Sequence, residues 1–96
     1  MPYGRKIVLH CPTGYHARLD QMVQQFFRDG VVFVGVVGED CARLEAIIDE
    51  LMVDDGSGQS RFILTSSHPN ESVEDALAFA RSLAKEYSGE VQVIQL

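Results

Sequence analysis

Four short apolar runs alternate with three stretches whose apolar residues recur at helical spacing. The runs are "KIVLHC" (Lys6 to Cys11), "VVFVGVV" (Val31 to Val37), "RFILTS" (Arg61 to Ser66) and "VQVIQL" (Val91 to Leu96). The first three are nearly continuous in apolar residues, as expected of strands covered on both faces. The last interleaves Gln92 and Gln95, which suits an edge strand or a partly exposed face. Between the runs the period changes. Leu19, Met22, Val23, Phe26 and Phe27 form one stripe on a helix spanning roughly residues 16–28, and Gly30 stands where a left-handed cap is wanted. Leu44, Ile47, Ile48 and Leu51 repeat the pattern, with Cys41 on the same face and Asp40 as the expected N-cap. Val73, Ala76, Leu77, Ala80, Ala84 and Tyr87 mark a third helix; Ser72 and Asp75 resemble a capping box, and Gly89 closes it.

The order β-α-β-α-β-α-β predicts an α/β three-layer sandwich of Rossmann or flavodoxin-like type, built on a four-stranded parallel sheet. Strand order 2-1-3-4 is favoured. That order leaves "VVFVGVV" on an edge, where it could pair with its copy in a homodimer. Order 3-2-1-4 would bury it instead. The polar stretch "VDDGSGQS" reads as a solvated loop, since Asp54, Asp55 and Ser57 lack the spacing of a calcium loop.

Composition narrows the class. Ninety-six residues make one domain, 1–96, with a single modest core. The net charge is −6 and the eight Lys and Arg are scattered, which argues against nucleic acid and acidic membranes as partners. The only apolar run near the start is Ile7 to Leu9, too short for a secretory signal or a membrane span, so the expected location is the cytoplasm. Two cysteines are too few for a disulfide framework.

In open parallel sheets ligands bind beyond the carboxyl ends of the strands, where strand order reverses. Three loops would meet there: Cys11 to His16, Gly38 to Cys41, and Thr65 to Glu71. Order 2-1-3-4 would bring the first and third together. The residues expected to bind a ligand are therefore Cys11, Thr13, Gly14, His16, Ser66, Ser67 and His68. The expected role is non-catalytic, with a small anion or a protein as partner and no cofactor or metal. A zinc site from Cys11, His16, Cys41 and His68 lacks the tight spacing such sites show. A hydrolase built on Ser66 or Ser67 with His68 is disfavoured because adjacent strand residues point apart.

"LHCPTGYHAR" raises the alternative. It resembles the loop of cysteine-dependent phosphatases, His-Cys-x-x-Gly-x-x-Arg, and the strand-1 cysteine loop of the cellobiose-type B subunits of sugar phosphotransferase systems. That resemblance implies Cys11 as nucleophile and Arg18 as phosphate grip; no aspartate is placed by sequence as a general acid, though Asp40 is available. However, Arg18 falls seven residues after Cys11 where the signature has six, and Pro12 removes an N–H from the cradle. Over Asp29 to Leu96, the stretches "VVFVGVVGEDCARLEAIIDEL" and "RFILTSSHPNESVEDALAFARSLAKEY" resemble a family of small single-domain bacterial α/β proteins of unknown function. This wider resemblance implies a complete domain and brings no activity with it.

Overall fold

The computed structural model describes residues 3–53, 63–83, 87 and 89–96. The elements follow the expected alternation: β1 (Lys6–Cys11), α1 (Arg18–Asp29), β2 (Phe33–Gly38), α2 (Cys41–Val53), β3 (Leu64–His68), α3 (Val73–Ser82) and β4 (Val91–Gln95). All neighbouring strands pair in parallel, so the fold is the α/β class the pattern called for. The sheet order is β3-β2-β1-β4, the second of the two arrangements weighed above rather than 2-1-3-4. The reason is burial. β1 and β2 carry the apolar sequences, and five of six residues in each are buried. A sheet of four strands has two places covered on both sides, and the two apolar strands take them. β2 is therefore interior, which closes the route to a dimer through its edge.

The third strand begins at Leu64; Arg61 and Phe62 of the expected run lie outside the described residues. It comprises "LTSSH", so residues expected in a rim loop lie within the sheet. Ile63 is still buried, in the core beneath α1 and α2. The third helix also ends early. Ser82 is its last residue, Leu83 is extended, and Tyr87 lies beyond it. Ala84 and the "DDGSGQS" part of the polar loop lie outside the described residues.

Two apolar layers flank the sheet. Ile7, Leu9 and Cys11 of β1 with Val34 and Val36 of β2 face α1 and α2, meeting Leu19, Val23, Phe26, Leu44 and Ile48. Val8, Phe33 and Val37 face α3, where Ala76 and Ala80 allow close approach. Burying a side chain the size of Phe26 or Phe33 contributes about 2–3 kcal/mol. Local caps agree with the sequence. Gly30 adopts φ 77° and its N–H reaches the Phe26 and Phe27 carbonyls. Ser72 and Asp75 form a reciprocal capping box.

Lys6 is the unexpected member of the core. It is 2% exposed, and its Nζ donates to the Ala80 carbonyl oxygen at 2.6 Å. That carbonyl belongs to the last turn of α3, where a cation complements the helix dipole. The contact pins α3 to β1 at the end of the sheet opposite the rim. Lys6→Ala should cost about 3 kcal/mol in urea unfolding through the void it leaves. Lys6→Met should cost only about 1 kcal/mol. It keeps the volume, and the Ala80 carbonyl still accepts from the Leu83 N–H.

Gly38 ends β2 at φ 117°, and a Cβ there would stand 2.4 Å from the Cys11 carbonyl oxygen. Because the obstacle is backbone, no side-chain rotation can relieve it. Gly38→Ala should therefore cost more than about 3 kcal/mol by the same measurement.

Candidate functional site

The carboxyl rim is built around one carbonyl. The Cys11 oxygen accepts the Glu39 N–H at 2.9 Å and the Gly14 N–H at 3.4 Å, tying the loop after β1 to the loop after β2. Gly14 takes φ 83°, which only glycine adopts without strain, and folds the chain back under Asp40. Asp40 is itself left-handed at φ 56°, and its carbonyl accepts the Leu44 N–H in the first turn of α2. Its Oδ2 lies 3.5 Å from where a Gly14 Cβ would stand. Asp40 thus places a carboxylate against the loop that an anion would have to enter.

Cys11 is fully buried and turned toward α1 and α2. Burial, with a smaller contribution from Cys41, pushes its thiol up to about 11. A nucleophilic cysteine needs the opposite shift. His16 is exposed and locally engaged, its Nδ1 accepting the Arg18 N–H at 3.1 Å. Arg18 opens α1 with an exposed side chain, and Thr13 is exposed in the loop.

Ser66, Ser67 and His68 lie elsewhere. In the observed order β2 separates β1 from β3, so the two sets stand about two strand spacings, or ~10 Å, apart. The register also divides them by face. His68 pairs with Val37 and Ser66 with Gly35, which puts both on the α3 side. Ser67 pairs with Val36 and belongs to the face that Cys11 occupies. The reversal of strand order falls between β1 and β4, not between β1 and β3. Cys41 joins Cys11 in the core below α1 and α2, so the four residues weighed for zinc are likewise split between faces.

The structure does unite a group that adjacency arguments passed over. Ser66 and His68 are two apart on one strand and share a face. Ser66 Oγ lies 2.8 Å from His68 Nε2, and Glu71 Oε2 lies 3.2 Å from Nδ1. A carboxylate only accepts, so Nδ1 donates to Glu71, and in the neutral ring Nε2 would accept from Ser66. The atom order is that of a serine relay. The imidazole, however, is 5% exposed and stacked edge-on against Phe79 at 5.2 Å. Gly35 supplies the room beneath it, since a Cβ there would meet Nε2 at 3.4 Å and the Phe33 ring at 3.0 Å. Glu71 also donates its N–H to the His68 carbonyl, with Asn70 at φ 61° in the turn. The group latches the β3–α3 turn. The pattern Ser-x-His-x-x-Glu in residues 66–71 was its visible signal.

A cleft of about 260 Å³ opens beside the rim, between the start of α1 and the outer face of α2. Ile47 and Leu51 supply its apolar surface and are half-buried against the core. Tyr15, Asp20, Arg43 and Glu50 complete the lining. Tyr15 donates to Asp20 Oδ1 at 3.3 Å. Partial desolvation and then the Asp20 charge hold its phenol above the ordinary range. Of the lining residues, only Tyr15 belongs to a rim loop as read from sequence. The rest follow from α1 and α2 packing side by side.

The family model described as Domain of unknown function (DUF7684) matches residues 2–95, and the chain belongs to that family. No curated protein and no solved structure matches it. Among the described residues, no helix is long and apolar enough to cross a membrane.

A buried, proton-holding Cys11 has two measurable consequences. Iodoacetamide should label the folded protein slowly at pH 8, and vanadate should not change the rate. An acid whose folded-state value lies above its unfolded value contributes stability that is complete below the unfolded value. The contribution is lost as pH rises through the folded one. Stability should therefore fall between pH 9.0 and about 11, and Cys11→Ala should flatten that decline in urea midpoints.

Proposed function

For this member of the family, we propose a non-catalytic binding module that works at the carboxyl edge of the sheet and takes a protein segment. The single observation that carries the reading is the cleft beside the rim, with Ile47 and Leu51 as its apolar surface and Asp20 and Glu50 against one Arg43. An apolar floor with a charged border is how peptide-binding grooves are organised. The balance of charge selects the occupant. Two carboxylates in the cleft, with Glu39 and Asp40 exposed nearby, oppose a small anion and favour an apolar anchor flanked by Lys or Arg. The net charge of −6 would steer such a partner in. Phosphoryl transfer at Cys11 lacks support, because the thiol is buried and its proton is held tightly. Two free, buried cysteines suit a reducing compartment, and the cytoplasm is where we place the protein.

The test is an amide NMR titration with two probes, a short Lys- and Leu-containing amphipathic peptide and inorganic phosphate. The peptide should shift Tyr15, Asp20, Arg43, Ile47, Glu50 and Leu51, and more weakly as salt rises. Glu50→Lys should weaken it about threefold, the scale of one rim charge. Phosphate should leave residues 11–18 unmoved. Phosphate shifts there, or a peptide that moves nothing in the cleft, would overturn the reading.

A further inference from the structure

The two edges of the sheet are not alike. On β3, Thr65 Oγ1 donates to Asp49 at 2.8 Å and lies 3.3 Å from a Glu45 oxygen, so acids stand over that edge. Charged side chains are a common guard against edge pairing. β4 reads Val91, Gln92, Val93, Ile94, Gln95, with no charge and no proline, in a chain of net charge −6. Val93 faces the α3 side, level with Val8, yet α3 packs mainly over β1 and β2, reaches β4 less, and leaves Val93 46% exposed.

The backbone of β4 points the same way. The Glu90 carbonyl accepts from the Lys6 N–H at 3.1 Å, and the Leu96 N–H donates to the His10 carbonyl at 2.8 Å. In a parallel ladder the N–H and C=O of one residue face one side, and the side alternates along the strand. Even-numbered residues of β4 therefore bond to β1. Val91, Val93 and Gln95 turn their backbone groups outward.

We propose that β4 is a homodimer edge, pairing antiparallel with β4 of a second copy about a two-fold axis at Val93. In that register Val93 meets Val93 of the other copy and Val91 meets Gln95. Each of these outward residues exchanges both backbone hydrogen bonds with its opposite. Both Val93 side chains fall on the same face, where β-branched pairs pack well. The arrangement is isologous, so the same five residues supply both halves. It joins two sheets into one and hides the uncharged strip while the acidic surfaces stay apart. A second copy is favoured over a foreign strand because this strip is self-complementary in both backbone and side chains. Strand pairing alone buries less than the ~1,000 Å² of a firm interface, so the dissociation constant should be about 10–100 µM.

Sedimentation velocity at loadings from roughly 5 µM to about 1 mM reads the mass directly. The expected result is one chain mass at the low end and two at the high end. Val93→Lys, which sets like charges together at the axis, should remain monomeric throughout while keeping its circular dichroism spectrum and Tm. Amide exchange at Val91, Val93 and Gln95 should slow with concentration, and at Thr65 and Ser67 on the opposite edge it should not. A single-chain mass at the highest concentration overturns the proposal. So does a dimer that survives Val93→Lys, or protection that appears on β3 instead.

Discussion

The structure depends on one constraint, that β1 and β2 must be covered on both faces. Their side chains are apolar in both directions, so neither strand can stand at an edge or face water on one side. Helices are needed above and below, and the right-handed crossover rule then assigns α1 and α2 to one side and α3 to the other. Ala76 and Ala80 let α3 come close, and Lys6 fixes its last turn. The polar strands β3 and β4 are left for the edges.

The same arrangement determines what the rim can do. Placing β2 between β1 and β3 separates the cysteine loop from the histidine turn. Each then becomes a local structure. The Cys11 carbonyl ties two loops together, and the Ser66–His68–Glu71 line secures the turn into α3. The residues with the richest chemistry are engaged in holding the backbone. The open surface passes to α1 and α2, where Ile47 and Leu51 are only half covered.

Much of this was legible along the chain, and the errors share one origin. The α1 stripe, the Gly30 cap and the Ser72–Asp75 box are local, because their partners lie within a turn or two. The third strand was misplaced because apolar "FIL" drew its expected start toward Arg61, while pairing with β2 begins at Leu64. With "LTSSH" in the sheet instead, β3 is more polar than β4, and the apolar pair falls in the middle. The cleft residues Asp20, Arg43, Glu50 and Leu51 carried no mark of their own, since their grouping depends on how two helices lie together.

The sequence by itself determined the alternation of strands and helices, the caps and the demand for cover on both sides of β1 and β2. Those follow from periodicity and from bonds between near neighbours in the chain. Only the tertiary structure decided the order of strands and the register between them. Side chains alternate along any strand, but which residues of two strands share a face depends on register, and no single strand contains that information. That is why Cys11 and His68, so suggestive on paper, stand on opposite faces of the sheet.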